Sequence, residues 1–549
     1  MKRAELKLLF EKDPESFAQN EIKADLLRGL DTFILDKIND GFNLEIINVY
    51  KKFVPMKQEA PDSMKTVLFS TIKNYAKDET SKGDHLSALV LYRFLLVKSN
   101  LDCSDYLVIA RNLAKSGDTV LYKSFLDIYS QKEENKLLAY IDLADFYKEI
   151  NDYKNAIDCY EKFMEVDKTK VSIYTITANL YSKLNGSESL EKQIELYEQA
   201  YKLQPDNRLA LHGLAFGYEK LGHNTLAKIY YEKLLQNNPT ENDYYNYGGF
   251  LIRCGDFLNG HKYFAHRFNI DDINLKYPSA INKKWDFKSD ISDKTLLVHY
   301  EQGFGDTIMY SRFVPLLKKI AKEVIFVVQS ELYDLILNSH LFEGVKIVTD
   351  ENDVEYDVNI ALLDVLYALK FDSSAISRLS TNYLDITEDK IKAYKERFLQ
   401  DDNYFKIGIS CSGEKNANYD DRNIEISKIY TLLKDIPNLK MYDLQKNAGD
   451  YNGVIPLGNA FGDFTQSACA VKNMDLIIST DNVILNLAGA LGAKTIGLFN
   501  KETNFRWFKT DGENVGWYES VKPLQAKKQN DWNEVLFELL KEVKIILDN

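Results

Sequence analysis

HYEQGFGDTI (His299–Ile308) decides the fold, because the end of an apolar run, a glycine-bearing turn and the start of a helix follow one another within it. The residues TLLVHY at 295–300 predict a buried strand. Gly303 and Gly305 allow a tight turn and a close approach of the backbone to a ligand. Open parallel sheets bind ligands at the carboxyl ends of their strands, which is where Asp306 falls. Asp306 is therefore either a functional carboxylate or a simple helix cap, and this segment alone leaves both interpretations open.

The length and composition predict a multidomain globular protein. A chain of 549 residues exceeds the roughly 250–300 residues at which single cores stop growing. The net charge of -13 argues against a general binder of nucleic acid or of anionic membranes. No apolar run approaches the roughly 20 residues that span a bilayer, and the N-terminal stretch turns acidic too early for a signal peptide. Five cysteines without a CxxC pair predict reduced thiols in a cytoplasmic protein, with neither a disulfide framework nor a metal site.

A period of 34 residues organises the first half of the chain. Tyr147 recurs as Tyr181, and the same spacing of 34 separates Pro205 from Pro239. Small residues and aromatics recur between these positions in a helix–turn–helix pattern, which must stack because one helix pair cannot bury its own apolar face. The pattern predicts tetratricopeptide-like repeats over residues 84–270. Such an array serves either as a scaffold or as a binding groove for a peptide or protein partner, and both hypotheses stay open.

Short apolar strands alternate with helices after the repeats, which predicts α/β architecture with parallel sheets covered on both faces. The predicted domains are an irregular helical region at 1–83, the repeats at 84–270, one lobe at 290–400 and a second lobe at 401–549. The predicted strands are 295–300, 323–329, 345–348 and 357–362 in the first lobe, and 405–411, 439–445, 474–480 and 493–499 in the second. A helix is predicted over 306–321, another over 531–547, and a solvated loop over 522–528.

Polar residues follow the strands of the second lobe, at the edge that would face a cleft between the lobes. They are Ser412 and Lys415, then Arg422, then Gln445 and Lys446, then Asp481 and Asn482, with Asn486 further along the same helix. A helix N-terminus binds anions through its free amide groups, and an arginine or lysine can neutralise a diphosphate. The alternatives are a plain N-cap for Asp481 and a solvated surface charge for Arg422.

Several different short motifs follow one another along the second half of the chain. They are EQGFGDTI at 301–308, RFVPL at 312–316, DLQK at 443–446, DLIISTD at 475–481 and RW at 506–507. With these motifs, residues 260–549 resemble bacterial tetratricopeptide-repeat proteins whose C-terminal domain belongs with the ADP-heptose-type, or heptosyltransferase-like, glycosyltransferases. The layout is also similar to that of the O-linked N-acetylglucosaminyltransferases, with repeats first and a two-Rossmann transferase after them.

The resemblance implies a two-lobed, double-Rossmann (GT-B type) enzyme without a metal or cofactor, whose donor is a nucleotide-diphosphate sugar bound on the C-terminal lobe. It implies that Asp306 is the general base of an inverting transfer. The residues of the surrounding acceptor-side loop would be Glu301, Gln302, Gly303, Gly305 and Thr307. The residues binding the nucleotide-sugar would be Ser412, Lys415, Arg422, Gln445, Lys446, Asp481, Asn482 and Asn486, with Arg422 on the diphosphate.

Two positions depart from the family pattern. The family usually has Thr directly after the aspartate of the last motif and His four residues beyond that Thr, whereas this chain has Asn482 and Asn486. Asparagine can donate a hydrogen bond to phosphate but carries neither a charge nor a transferable proton. Two functions therefore stay open: a glycosyltransferase whose acceptor hydroxyl could belong to a protein presented by the repeats, and a catalytically degenerate interaction protein.

Overall fold

The computed structural model of the protein describes most of the chain after residue 61. The described residues are 62–97, 101–118, 121–184, 187–270, 283–379, 381–399, 403–412, 422–446, 448–449, 453–504, 506–509 and 511–548. Most of the region predicted at 1–83, and the predicted site residue Lys415, lie outside them. The chain divides into two compact units after Gly217. This division falls inside a helix of the repeats, so the last repeat helices belong to the same unit as the sheets.

The first unit is built from successive helices, and neighbours along the chain pair with each other. The helices are α1 (Asp62–Lys82), α2 (His85–Val97), α3 (Cys103–Lys115), α4 (Leu121–Lys132), α5 (Lys136–Glu149), α6 (Tyr153–Val166), α7 (Val171–Tyr181), α8 (Ser187–Leu203) and α9 (Arg208–Lys220), the last of which crosses the division. Ala144, Ala156 and Tyr160 are buried, as the repeat pattern predicts for residues between stacked helices. The helical-repeat architecture predicted for this region is confirmed.

The second unit opens with three more helices: α10 (Asn224–Leu235), α11 (Glu241–Arg253) and α12 (Phe257–Phe264). Helices α11 and α12 approach closely at two glycines. A Cβ atom on Gly248 would lie 2.5 Å from the backbone nitrogen of Phe264, and one on Gly260 would lie 2.5 Å from Cγ1 of Ile252. The glycines therefore permit a contact that no other residue would allow. Ile252 and Phe264 continue into the apolar core around the first sheet.

The first sheet has four parallel strands, in the order β3-β2-β1-β4. The strands are β1 (Thr295–His299), β2 (Glu323–Val327), β3 (Lys346–Val348) and β4 (Val358–Ala361), at the places predicted. The helices are α13 (Phe304–Ser311), α14 (Ser330–Leu337), α15 (Val365–Ala368), α16 (Ser373–Arg378) and α17 (Glu388–Phe398). The single helix predicted over 306–321 is wrong in its extent. It ends at Ser311 and gives way to a 3-10 helix at Val314–Lys319, because Pro315 has no N–H to donate to the carbonyl of Ser311.

The second sheet has six parallel strands, in the order β10-β9-β8-β5-β6-β7. The strands are β5 (Phe405–Ser410), β6 (Leu439–Asp443), β7 (Val454–Ile455), β8 (Leu476–Thr480), β9 (Thr495–Phe499) and β10 (Val521–Gln525). The helices are α18 (Ile426–Leu433), α19 (Phe464–Lys472), α20 (Val483–Ala490) and α21 (Trp532–Asp548). The loop predicted over 522–528 is wrong for its first half, because β10 pairs with β9 from Val521 to Gln525. Strand β7 was not predicted either.

The C-terminal segment returns to the first sheet after β9. Arg312, directly after α13, is buried, and its Nη1 donates to the backbone oxygens of Leu379 and Trp517. Trp517 is buried among the rings of Tyr310 and Phe313. These contacts join the end of the chain to the helix that follows β1. Within the part of the chain that the structure describes, no helix is both long and apolar enough to cross a membrane.

Candidate functional site

A cavity of about 510 Å³ lies at the carboxyl ends of strands from both sheets. Most of the residues predicted for the site line it. They are Gly303, Gly305, Asp306, Ser412, Arg422, Gln445, Lys446, Asp481, Asn482 and Asn486. Strand ends far apart in the sequence therefore converge on one cavity, since parallel strands present their carboxyl ends at the same edge of a sheet.

Asp306 stands in the first turn of α13, whose N-cap is Gly303. It is thus not the residue that caps the helix. Its Oδ1 atom lies 2.9 Å from Nη1 of Arg506, and its side chain keeps 19% of its surface exposed. Burial raises the pKa of the Asp306 carboxyl above its ordinary value, although Arg506 acts in the opposite direction. The result is a carboxylate at the wall of the cavity whose proton affinity exceeds that of an aspartate in water.

Three residues of the predicted acceptor-side loop do not line the cavity. Glu301 is 3% exposed and lies beneath the loop, where its carboxylate accepts from Nε and Nη2 of Arg267 at 2.6 and 2.7 Å. Burial opposes ionisation of Glu301, but Arg267 outweighs it and holds the pKa of the carboxyl below its usual range. Thr307 is buried within α13, and Gln302 accepts from Nη2 of Arg506 at 2.8 Å. Their placement corrects the prediction that the whole loop faces the cleft.

Asp481 lies between the end of β8 and α20, and the N-cap of that helix is its neighbour Asn482. Asp481 is therefore not a simple cap either. Its Oδ1 atom accepts from the indole Nε1 of Trp507 at 2.9 Å. Burial raises the pKa of Asp481, while Arg422 and the bond from Trp507 lower it. Arg422 thus acts on Asp481 as well as on Asp306, which agrees with its position in the cavity wall.

The two asparagines that depart from the family pattern are held by internal hydrogen bonds. Asn482 Oδ1 accepts from the amides of Ile484 and Leu485 at 2.9 and 3.3 Å, and its Nδ2 donates to the backbone oxygen of Ser410 at 2.9 Å. Asn486 Oδ1 accepts from the hydroxyl of Tyr518 at 2.9 Å. Both side chains therefore fix the start of α20, besides bordering the cavity.

Gln445 links the ends of β5 and β6. Its Oε1 atom accepts from the amide of Cys411 at 2.7 Å and from the hydroxyl of Ser412 at 2.9 Å. The loop after β6 is thereby held at a fixed place relative to β5, and Lys446 follows it with an exposed side chain. Gln445 and Ser412 form a polar floor on the side of the cavity that belongs to the second sheet.

Arg506 is the charged residue of the candidate site that the sequence analysis did not predict. It comes from the loop between β9 and β10, and it lines the cavity together with Arg422. The only available signal was the RW motif at 506–507, which carries no spacing rule that points to a charge pair. The aromatic residues Phe304 and Phe464, whose ring centroids lie 4.9 Å apart, also border the cavity.

The arrangement can bind an anion and accept a proton. Two guanidinium groups and the N-terminus of α20 face one cavity, which is a favourable environment for phosphate oxygens. Asp306 stands at the same cavity as a carboxylate that can accept a proton. Among the described residues, no cluster of three or more His, Cys, Asp or Glu side chains is arranged to hold a metal ion.

The tetratricopeptide repeats are the part of the chain that a family model matches. The tetratricopeptide repeat model matches residues 137–170 and 210–241, so the chain contains tetratricopeptide repeats, as its 34-residue period predicts. No curated protein matches the sequence. A crystal structure of MamA shares 20% identity, covers 30% of this chain and 93% of its own, and gives a TM-score of 0.25. MamA 41-end from Desulfovibrio magneticus RS-1 shares 20% identity, covers 31% and 93%, and also gives 0.25.

Proposed function

We propose that the protein is an inverting glycosyltransferase that moves a sugar from a nucleotide-diphosphate sugar to an acceptor hydroxyl. The observation that carries the proposal is the convergence of Asp306, Arg422 and Asp481 on one cavity from three separate segments. A four-stranded and a six-stranded parallel sheet, with strands of both contributing to that cavity, support a two-lobed GT-B type architecture.

Asp306 is the general base in this proposal. Its carboxylate takes the proton from the acceptor hydroxyl while the acceptor oxygen forms a bond to the anomeric carbon of the donor sugar. The bond from that carbon to the diphosphate breaks, and its electron pair leaves with the nucleoside diphosphate. Attack from the face opposite the leaving group inverts the anomeric configuration. A raised pKa suits this role, because a base works best when its proton affinity approaches the working pH.

Arg422 and the N-terminus of α20 stabilise the departing diphosphate. The negative charge on the leaving group grows as the bond breaks, so a guanidinium and the positive end of the α20 dipole, both already in place, favour the transition state. Asp481, Gln445 and Ser412 supply polar contacts for the sugar and the nucleotide. The volume of about 510 Å³ lies within the roughly 300–1,000 Å³ typical of small-molecule sites.

The acceptor is proposed to be a protein or peptide that the repeats present. Tetratricopeptide arrays commonly bind such partners along their helices. The 3-10 turn that follows the last repeat helix is joined to the Asp306 loop by the ion pair between Arg267 and Glu301. A segment held by the last repeat would accordingly be delivered close to the base.

One observation favours a second candidate function, a catalytically degenerate interaction protein. Asn486 stands where the family usually has histidine. Its Oδ1 accepts from the hydroxyl of Tyr518, and its Nδ2 donates to the backbone oxygen of Asn482 at 3.1 Å. Losing one donor to a developing charge can lower a rate by about 10²–10³-fold. Such a loss would leave binding to the repeats unaffected.

Binding and activity measurements on the full-length protein distinguish the two candidate functions. Calorimetric titration with ADP, UDP and GDP, followed by mass-spectrometric assay of the matching nucleotide-sugars, should reveal binding of one nucleotide and slow hydrolysis or transfer of its sugar. Asp306→Asn should abolish transfer while the nucleotide still binds. Undiminished transfer would refute the base assignment, and an absence of binding at millimolar nucleotide would favour the interaction protein.

A further inference from the structure

Arg506 links the proposed base to the proposed diphosphate site. Its Nη1 atom lies 2.9 Å from Oδ1 of Asp306, and its Nη2 donates to Oε1 of Gln302 at 2.8 Å. The side chain is only 10% exposed, and it lines the same cavity as Arg422. One guanidinium therefore contacts the carboxylate that must accept a proton while it stands at the wall of the space that the donor would fill.

Two features determine which groups the Arg506 side chain can contact: its main chain is held in place, and its guanidinium binds phosphate as well as carboxylate. Trp517 donates from its indole nitrogen to the backbone oxygen of Arg506 at 2.6 Å, which fixes the main chain and leaves the side chain to turn about its own bonds. A guanidinium binds phosphate in two-pronged fashion at least as well as it binds a carboxylate. Asp306 and a donor diphosphate would therefore compete for the same cation.

We infer that Arg506 is a second cationic ligand of the donor diphosphate, and that it leaves Asp306 when the donor binds. This inference rests on the proposed function. Before the donor enters, the ion pair with Arg506 stabilises the ionised form of Asp306 and occupies one of its two carboxylate oxygens. Once the diphosphate takes Arg506, Asp306 is released to accept the proton. The order of events makes the base available only when a diphosphate group occupies the cavity.

Competition between Asp306 and the diphosphate for Arg506 predicts that loss of the carboxylate strengthens nucleotide binding. Asp306→Asn removes the carboxylate that holds Arg506, so a nucleoside diphosphate should bind more tightly to this variant than to the wild-type protein. An ion pair of this partial exposure corresponds to a change of up to about fivefold in the dissociation constant. Arg506→Gln should weaken binding by a comparable factor.

The double variant Asp306→Asn with Arg506→Gln decides between competition and simple charge repulsion. If Arg506 mediates the effect, the substitution of Asp306 should no longer tighten binding once Arg506 is absent. If Asp306 merely repels the anion, it should tighten binding equally in both backgrounds, and that result would overturn the inference. Calorimetry with whichever of ADP, UDP and GDP binds the wild-type protein measures all four dissociation constants.

Two controls keep the outcome interpretable. Lys509→Gln removes one positive charge from the same loop at a residue that pairs with Glu513 at 2.6 Å, outside the cavity wall, and it should change binding less than twofold. Arg506→Lys keeps the charge, and thermal unfolding of every variant shows whether it is folded. If no nucleotide binds the wild-type protein, the proposed function fails. If one binds but Asp306→Asn does not tighten it, only the role of Arg506 fails.

Discussion

Arg267 and Glu301 form a two-pronged ion pair at 2.6 and 2.7 Å that is closed off from solvent on both sides. Arg267 follows the last repeat helix, and Glu301 begins the loop that leads to Asp306. A third group, Asp364, lies 2.8 Å from Nη1 of the same arginine. The last repeat is thus joined to the candidate site through charge as well as through apolar packing.

Arg267→Met should strongly destabilise the second unit. Breaking a buried ion pair from one side typically costs about 3–5 kcal/mol, because the partner is left as an uncompensated charge. All four tryptophans of the chain, Trp285, Trp507, Trp517 and Trp532, lie in the second unit, so fluorescence during denaturant titration reports its unfolding. Arg253→Met removes a more exposed ion pair with Glu219 and should cost no more than about 1 kcal/mol. Equal costs for the two variants would contradict this prediction.

The acid limb of the pH–rate profile should lie above the ordinary pKa of an aspartate. Burial raises the pKa of Asp306, and the base works only when it is deprotonated, so activity should fall as the pH drops through this raised pKa. Arg506→Gln removes a cation that lowers this pKa and should move the limb of kcat/KM for the donor to higher pH. Lys509→Gln should leave the limb in place. A limb that stays fixed in Arg506→Gln would show that Asp306 does not set it.

Asn482→Ala should loosen the start of α20. The alanine cannot accept from the amides of Ile484 and Leu485, and loss of an N-cap costs about 0.5–2 kcal/mol. Asn482→Asp retains the acceptor and should recover much of that loss in the free energy of unfolding. Thermal unfolding of the two variants measures the difference. An alanine variant as stable as the aspartate variant would show that the cap contributes nothing.

Gly489→Ala should destabilise the second unit by overpacking. A Cβ atom on Gly489 would lie 2.3 Å from Cγ of Tyr518, and extra methyl groups in a packed core typically cost about 1–3 kcal/mol. Gly462→Ala is the matched control, since its nearest neighbour would be Nε2 of Gln466 at 3.6 Å. Denaturant titration should give a near-zero change for the control. The prediction is wrong if both alanines are tolerated equally.

The sequence predicted the strands whose residues are apolar and missed those whose residues are not. Strand β10 contains Lys522 and Pro523, because it lies at the edge of the sheet, where a proline is tolerated and one side needs no burial. Strand β7 has two residues at the opposite edge, too few for any periodic signal. Central strands such as β8 are buried throughout and read as continuous apolar runs, which is why they were predicted.

The candidate site was predicted where its residues follow directly on strands, and missed where it depends on contacts between distant segments. Asp306 and Asp481 were placed by the rule that open parallel sheets bind ligands at the carboxyl ends of their strands, and Arg422 was placed by the family resemblance. Glu301 was predicted to face the cleft, but it turns inward to Arg267, 34 positions earlier in the chain. Arg506 lies in an irregular loop, where neither spacing nor periodicity indicates which carboxylate it will meet.

The division of the chain inside α9 affects the choice of the first residue for a truncated fragment. A fragment meant to carry the sheets alone would naturally start at the first strand, but that cut removes Arg267. Glu301 and Asp364 would then be left as two neighbouring acids sealed in an apolar interior, and one of them would have to take up a proton or draw water inside. A fragment that begins ahead of Arg208 keeps their counterion and the whole of α9, and it should fold.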